Sequence, residues 1–280
     1  MEVIISENAG FCFGVKRAMK LAWDEVCKGD ENGVYALGPL IHNKQAIEKF
    51  EENGLVTVDN IENIKDDAKM IIRSHGVCKN VYDLAEEKKL TVVDTTCPFV
   101  KKIHNIVHDK FTEGYEIIVI GDSKHPEVMG INGWCDNSAT IIKTVEEAEK
   151  FKALSGRKYC LVAQTTMNLK IYGEIVEILK NKIEDIEINN TICSATKTRQ
   201  EAAAKLAKDV DCMIVIGGKH SSNTQKLAGI CKNICPTFAV ETVSDINSEE
   251  IKQYKTVGIT AGASTPDWII NEIVNYIKGL

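Results

Sequence analysis

Three cysteines, Cys12, Cys97 and Cys193, divide the chain into nearly equal thirds. Each stands where a short apolar run meets a helix-like pattern, in VIISENAGFCFGVKRAMK, LTVVDTTCPFVKKIHN and IEINNTICSATKTRQEAA. Self-similarity at a regular spacing is the sequence signature of a repeated architecture. The sequence therefore predicts a pseudo-threefold repeat in which three thiolates converge on one axis.

Apolar runs of four to six residues alternate with amphipathic patterns along the chain, which is typical of parallel β-α-β units. The predicted fold class is α/β, with three pseudo-threefold-related domains that are each a four-stranded, mainly parallel sheet with helices. Twelve strands are predicted, at 3–6, 34–37, 55–58, 70–73, 92–94, 117–120, 140–143, 159–163, 187–189, 212–216, 237–240 and 257–261. The predicted domains are 14–96, 97–193, and 194–280 together with 1–13.

Composition and charge exclude several classes of protein. The 280 residues carry a net charge of −6 with scattered basic residues, which disfavours binding to nucleic acid. No apolar run approaches the roughly 20 residues that a membrane helix needs, and the N-terminus lacks the pattern of a signal peptide. We therefore expect a cytoplasmic protein that does not bind membranes. In such a chain, ten cysteines indicate thiols or metal ligands rather than disulfides.

Polar loops follow the predicted strands at two places in each third of the chain. In parallel sheets, ligands collect at the carboxyl ends of strands, where helix N-termini present free N–H groups. The first loops are GPLIHN, GDSKHPE and GGKHSSNT, and the second loops are RSHGV, AQTT and TAGAST. The sequence thus predicts six loops around one cavity rich in imidazole, hydroxyl and amide groups, with Glu127 as its carboxylate.

The three cysteines suggest an open metal site. A closed structural zinc site needs four ligands, commonly in close pairs, and no C-x₂-C pair is present. A [4Fe–4S] cluster held by three cysteines leaves one Lewis-acidic iron without a protein ligand. The surrounding neutral donors and helix N-termini suit a diphosphate. Because there is no G-x-x-x-x-G-K-[ST] loop, a nucleotide triphosphatase is disfavoured.

The remaining cysteines and one histidine pair have simpler interpretations. We predict core packing for the seven other cysteines, Cys27, Cys78, Cys135, Cys160, Cys212, Cys231 and Cys235. Cys231 and Cys235 are four residues apart and could bind a metal, but no second pair lies near them in the sequence. His104 and His108 lie at i and i+4 on a predicted helix, and we interpret them as part of a solvated face.

Nine motifs, in this order, closely resemble the 4-hydroxy-3-methylbut-2-enyl diphosphate reductase (LytB) family: AGFCFGVKRA, GPLIHN, RSHGV, DTTCP, GDSKHPEV, AQTT, CSATKTRQ, KHSSNT and TAGAST. The resemblance runs from Ala9 to Trp268. It implies a trefoil of three domains around a central [4Fe–4S] cluster whose ligands are Cys12, Cys97 and Cys193. It also implies the reaction, the last step of the non-mevalonate isoprenoid pathway. Two electrons and two protons remove a hydroxyl, bound at the open iron, from the allylic diphosphate, giving isopentenyl and dimethylallyl diphosphates plus water.

The resemblance also implies roles for individual residues. Glu127 would supply protons, and Thr165 would order the substrate hydroxyl and a relay to that carboxylate. The implied substrate-binding residues are His42, His75, His125, Gln164, Thr166, Ser221, Ser222, Asn223 and Ser264. The resemblance implies a small ferredoxin or flavodoxin as the external electron donor, and the chain itself has no nicotinamide or flavin motif.

Two other classes of function stay open at this point. A hydro-lyase similar to quinolinate synthase also uses three domains and an open cluster iron. Its dicarboxylate substrate would usually recruit arginine clamps rather than the HPEV and SSN loops seen here. A non-enzymatic iron–sulfur electron carrier or redox sensor usually has four cysteine ligands and needs no deep polar cavity.

Overall fold

The computed structural model describes residues 1–280. Its strands are β1 (Glu2–Ile5), β2 (Val34–Leu37), β3 (Leu55–Val58), β4 (Lys69–Ile72), β5 (Thr91–Asp94), β6 (Glu116–Ile120), β7 (Thr140–Ile142), β8 (Tyr159–Ala163), β9 (Ile186–Ile188), β10 (Cys212–Ile216), β11 (Thr237–Val240) and β12 (Thr256–Ala261). All twelve predicted strands are confirmed, with ends that shift by at most one residue.

An α-helix follows each strand except β3. The helices are α1 (Phe13–Lys28), α2 (Lys44–Glu51), α3 (Asn80–Glu87), α4 (Pro98–Thr112), α5 (Pro126–Asn132), α6 (Val145–Lys150), α7 (Leu169–Lys182), α8 (Ser194–Leu206), α9 (Ser222–Lys232), α10 (Ser248–Ile251) and α11 (Asp267–Lys278). None of these helices combines the length and the apolar character that crossing a bilayer requires.

The strands form three four-stranded parallel sheets that share one strand order. Sheet I is β3-β2-β4-β5, sheet II is β7-β6-β8-β9, and sheet III is β11-β10-β12-β1. Strand β1 reaches sheet III from the other end of the chain, and Glu2 pairs with Thr256 on β12. These sheets confirm the predicted α/β class and the threefold repetition of its strand plan.

In each sheet, the strand beside the edge strand β3, β7 or β11 is followed by a glycine that makes the same backbone hydrogen bond. The backbone N–H groups of Gly38, Gly121 and Gly217 donate to the last carbonyl of the neighbouring edge strand, at 2.7, 2.9 and 2.9 Å. Each glycine directly follows β2, β6 or β10. Equivalent positions in the first loops of the three sheets can therefore be counted from these glycines.

Burial on both sheet faces leaves little of each central strand available for chemistry. Every residue of β8 and of β10 is buried. In sheet II, Ile118 and Leu161 belong to one apolar cluster, whereas Ile117 and Val119 belong to the cluster on the opposite face. Because both faces are covered by apolar side chains, polar groups that act on a ligand must come from the loops at the strand ends.

The chain divides into two compact units. The sheet III unit comprises Met1–Lys16, Ile41–Lys49 and Ser194–Leu280, and the two-sheet unit comprises Arg17–Leu40 and Phe50–Cys193. The segment Ile41–Lys49 thus groups with sheet III, although its sequence neighbours group with sheet I. The division into domains 14–96, 97–193 and 194–280 with 1–13 stays a prediction.

Candidate active site

Each of the three cysteines stands at the N-terminus of a helix. Cys97 is the N-cap residue of α4, and Cys12 and Cys193 directly precede α1 and α8. All three are partly buried and free of disulfides. The first turn of a helix has unsatisfied N–H groups and the positive end of the helix dipole, so these positions favour anionic ligands and thiolate–metal clusters.

One backbone hydrogen bond recurs at all three cysteines. The N–H of Cys12 donates to the carbonyl of Ala263 at 3.4 Å, that of Cys97 to Ser74 at 3.0 Å, and that of Cys193 to Thr165 at 3.2 Å. Each acceptor is the second residue after the third strand of its sheet, which is β12, β4 or β8. The backbone therefore places each cysteine beside the second polar loop of the sheet whose edge strand, β1, β5 or β9, precedes it.

Glu127 and Thr165 are joined by two short hydrogen bonds. The two carboxylate oxygens of Glu127 accept the N–H of Thr165 at 2.6 Å and its hydroxyl at 2.7 Å. Both residues are buried. Glu127 lies in the first turn of α5, where Pro126 occupies the first helical positions and the His125 side chain accepts the Glu127 N–H at 3.1 Å. The carboxylate is thus fixed in one orientation with the threonine hydroxyl as its neighbour.

Two predicted histidines meet near this carboxylate. The rings of His75 and His125 lie edge to face, with centroids 5.5 Å apart. His75 belongs to a tight turn in which the N–H of Gly76 donates to the carbonyl of Arg73 at 3.0 Å. The fold of the two-sheet unit therefore gathers Glu127, Thr165, His75 and His125 at the ends of sheets I and II.

Gln164 connects the two loops of sheet II. Its side-chain carbonyl accepts the N–H of Asp122 at 3.2 Å, and its side-chain amide donates to Thr166 Oγ1 at 3.0 Å. Gln164 is completely buried. These contacts make it a link between the loops that bear Glu127 and Thr165, and direct binding of substrate by Gln164 and Thr166 stays a prediction.

The sheet III unit gathers a second set of predicted residues. The Ser264 hydroxyl donates to the His42 carbonyl at 3.2 Å and lies 3.5 Å from the Ser221 hydroxyl. Ser221 caps α9 by accepting the N–H of Thr224, so Ser222 and Asn223 begin the helix. Asn223 is buried, and its side-chain NH₂ has no hydrogen-bond partner. A buried unsatisfied donor is unfavourable by itself, which indicates a position ready for a ligand acceptor.

Gly218 permits the close approach of the His42 segment. A Cβ atom on Gly218 would lie only 2.6 Å from the carbonyl oxygen of His42, which is far inside van der Waals contact. Any larger residue at this position would push the two loops apart. This glycine explains how a segment from the sheet I region of the sequence joins the loops of sheet III.

Arg199 is a buried residue beside Cys12 that the sequence interpretation did not single out. Its guanidinium is buried and donates to the carbonyls of Asn8 at 2.8 Å and Gly10 at 2.7 Å, which fixes the loop that precedes Cys12. It also lines a cavity of about 260 Å³ beside Cys12. The motif CSATKTRQ contained this arginine, but nothing in its spacing indicated a partner so distant in the sequence.

Two predictions about the remaining cysteines and histidines need correction. Core packing is confirmed for Cys135, Cys160, Cys212 and Cys231, but it is wrong for Cys27, which is exposed near the end of α1. Cys78 and Cys235 are only partly buried, because they lie in loops just outside the adjoining helices.

The prediction of a solvated face for His104 and His108 was also wrong. His104 is buried and stacks on Trp134 with centroids 5.1 Å apart and planes at 20°, and His108 meets the same indole edge on at 5.9 Å. The burial of Val100, Ile103, His104 and Val107 follows the i, i+3, i+4, i+7 pattern of a helix face against a core. This apolar stripe in the sequence indicates that His104 is buried against the core.

Comparisons with known proteins agree along the whole chain. The family described as LytB protein matches residues 3–278. A 4-hydroxy-3-methylbut-2-enyl diphosphate reductase of Clostridioides difficile (strain 630) is 62% identical over 280 residues, covering 100% of both chains. The corresponding reductase of Alkaliphilus oremlandii (strain OhILAs) is 49% identical, again over 100% of both chains.

Two solved structures are also similar. The E-1-hydroxy-2-methyl-but-2-enyl-4-diphosphate reductase from Plasmodium falciparum has a TM-score of 0.94 at 31% identity, covering 98% of this chain and 87% of that one. An (E)-4-hydroxy-3-methyl-but-2-enyl diphosphate reductase, described as the terminal enzyme of the non-mevalonate pathway, has a TM-score of 0.70 at 40% identity and 100% coverage of both chains. The full-length family match and these relatives establish that the chain belongs to the LytB family.

Proposed function

We propose that this chain is an oxidoreductase that converts 4-hydroxy-3-methylbut-2-enyl diphosphate to isopentenyl and dimethylallyl diphosphates, the last step of the non-mevalonate isoprenoid pathway. The names of its full-length relatives support this activity. The geometry that carries the proposal centres on Thr165. Its carbonyl accepts the N–H of Cys193, while its own N–H and hydroxyl bind Glu127. One residue thus connects a candidate metal ligand to a candidate proton donor.

The proposed cofactor is one [4Fe–4S] cluster held by Cys12, Cys97 and Cys193. LytB proteins are iron–sulfur dependent, and the donor set fits such a group because the three partly buried cysteines form no disulfide and stand at helix N-termini. When bound, a cluster with three cysteine ligands supplies electrons and a Lewis-acidic iron for the substrate hydroxyl. The recurring cysteine N–H bonds would hold the ligand backbones in place while the charge changes.

Glu127 is proposed to deliver protons to the departing hydroxyl. The overall reaction consumes two electrons and two protons, breaks the C–O bond and releases the hydroxyl as water. Hydroxide is a poor leaving group, so protonation by a positioned acid lowers the barrier. The Thr165 hydroxyl lies 2.7 Å from the Glu127 carboxylate and can pass a hydrogen bond on to the substrate hydroxyl.

The diphosphate is proposed to bind among neutral and imidazole donors. In the sheet III unit, the group comprises His42, Ser221, Ser222, Asn223 and Ser264. In the two-sheet unit, His75 and His125 would contribute, with Gln164 and Thr166 beside them. The unsatisfied NH₂ of buried Asn223 and the N-terminus of α9 favour an anion with several acceptor oxygens. Anchoring this end of the substrate orients the hydroxyl at the other end.

Electrons must come from outside the chain, and we propose a small ferredoxin or flavodoxin as their source. The test is strictly anaerobic turnover of the iron- and sulfide-reconstituted protein with the allylic diphosphate, following oxidation of a reduced viologen and identifying the products. Formation of both five-carbon diphosphates is the expected result. If protein with an intact cluster neither turns over nor changes its spectrum when substrate is added, the proposed substrate is wrong.

A further inference from the structure

His104 is packed between the indole of Trp134 and the turn at Gly76. One face of its ring stacks on Trp134, which lies between α5 and β7. Its ring edge faces Gly76: a Cβ atom on Gly76 would lie 2.5 Å from His104 Cε1 and 3.1 Å from the Thr96 methyl group. Gly76 directly follows His75, and Thr96 directly precedes Cys97. The imidazole thus lies against the residue that follows His75, and the Thr96 methyl group borders the same glycine.

The loop that carries His75 is held from the side of Trp134 as well. The indole N–H of Trp134 donates to the carbonyl of Val77 at 3.0 Å. The Cys78 thiol donates to the carbonyl of Met129 at 3.4 Å. Gly76 has a φ of +73°, a backbone conformation that favours glycine. The turn is thus fixed in a special conformation with a ring on one side and hydrogen bonds on the other.

Packing alone does not explain a histidine at this position. His104 Nε2 is buried without a hydrogen-bond partner, which costs free energy that an apolar side chain of similar size would not cost. Burial lowers the pKa of His104 to about 4, so the ring is neutral near pH 7. The equivalent positions after Cys12 and Cys193 hold Met19 and Gln200, which are also buried. The aromatic ring is therefore specific to the helix that follows Cys97.

We propose that His104, stacked on Trp134, is a positioning residue that sets the placement of His75 relative to Cys97 and so adjusts the diphosphate site to the cluster. This inference rests on the proposed function. Shortening the side chain would let the Gly76 turn relax toward the space that the ring now fills. His75 would then lose its place against His125, and the turn would shift against the Thr96 methyl group, which borders Gly76 just before Cys97.

The test compares two histidines that touch the same indole. His104→Ala removes the ring between Gly76 and Trp134. His108→Ala, one turn further along α4, removes a ring that meets the same indole in a T-shaped contact. We would measure the Kd of the reconstituted holoenzyme for inorganic diphosphate by calorimetry, together with the visible absorption of its cluster.

We expect His104→Ala to weaken diphosphate binding by about tenfold and to raise KM similarly, because displacements of an ångström in a binding group have effects of at least this size. We also expect altered cluster absorption, while His108→Ala keeps wild-type binding and absorption. His104→Gln, which installs the residue found at the equivalent position after Cys193, should restore part of the affinity because it fills much of the space. Equal diphosphate affinity in the two alanine variants would overturn the inference.

Two further measurements keep the test decisive if His104→Ala does not fold. Trp134→Phe keeps an aromatic ring under His104 but removes the N–H that binds Val77. In that variant and in His104→Gln, hydrogen exchange of the Gly76 and Val77 amides should be faster than in wild type, with weaker diphosphate binding. Unchanged exchange and binding in both would contradict the positioning role. Failure of wild-type turnover with the allylic diphosphate would instead count against the proposed function.

Discussion

The first loops of sheets II and III follow one backbone plan but carry opposite chemistry. Counted from the strand-ending glycines Gly121 and Gly217, Glu127 and Asn223 occupy the same position. Glu127 is fully engaged with Thr165, whereas the Asn223 NH₂ is buried without a partner. The same loop position thus holds an acid in sheet II and a neutral hydrogen-bond donor in sheet III. In the proposed function, this difference of a single side chain separates a loop that delivers protons from a loop that binds the diphosphate.

A cysteine precedes the helix in all three repeats, whereas the loop residues differ. We therefore expect loss of a cysteine to have the largest effect on cluster content and activity. Cys12→Ser, Cys97→Ser and Cys193→Ser should each lose most of the iron and all measurable turnover, because a cluster with two thiolates is poorly held. Iron content and visible absorption after anaerobic reconstitution measure this. The control is Cys231→Ser in the core of the sheet III unit, which should keep its iron. A cysteine whose serine variant retains the cluster is not a ligand.

Glu127→Gln tests the acid side of the comparison. Glutamine can keep the contacts with Thr165 but cannot deliver a proton, so we expect kcat to fall by about 10²–10⁴-fold while the cluster and substrate binding are retained. Single-turnover kinetics and a binding titration measure the two effects separately. Glu177→Gln, at an exposed position on α7, is the matched control and should be silent. Wild-type turnover in the Glu127 variant would remove the proton-donor role.

Asn223→Asp tests the proposed diphosphate site by placing a carboxylate at the position that Glu127 occupies in sheet II. Like charges in a desolvated site repel strongly, so we expect diphosphate affinity to fall by about a hundredfold. Asn223→Ala removes only the donor and should weaken binding by about tenfold, as for loss of a hydrogen bond to a charged group. Calorimetry with inorganic diphosphate ranks the three proteins. The same affinity in all three would mean that Asn223 does not face the anion.

The smallest expected effect is on the pH dependence of folding stability, and it compares His104 of α4 with Gln200 of α8. Burial lowers the pKa of His104 to about 4, below the ordinary value of 6.5. The unfolded chain therefore binds a proton that the folded protein resists, and stability is lost as the pH falls from 6.5 toward 4, by at most about 3 kcal/mol. His104→Gln matches Gln200 of α8 and removes this dependence. Urea unfolding at pH 7 and pH 5 should show a smaller acid-induced loss in the variant, and equal losses would contradict the assignment.

Much of the site was predictable because its elements are local. A strand such as β8, buried on both faces, is a continuous apolar run in the sequence, so its end and the polar loop that follows are visible. Pro98 and an apolar stripe predict the helix that follows Cys97. The stripe also contained His104, and its place four residues after Val100 indicates burial rather than the predicted solvated face.

Other features depend on contacts between distant residues. Arg199 reaches carbonyls near the N-terminus, the Ser264 hydroxyl reaches His42, and Trp134 stacks on His104. None of these pairs is linked by a period or a spacing, because side chains and loops meet according to how the sheets and helices pack. Such contacts need the folded chain.

The sequence by itself determined the three cysteines, the strand plan and the polar loops, since hydrophobic periodicity and helix starts are properties of short segments. Only the tertiary structure decided that each cysteine N–H binds the second loop of the sheet whose edge strand precedes it, that Thr165 connects Cys193 with Glu127, and that the segment Ile41–Lys49 packs with sheet III. Hydrogen bonds of this kind form between groups far apart in the chain, and their geometry follows from packing rather than from local pattern.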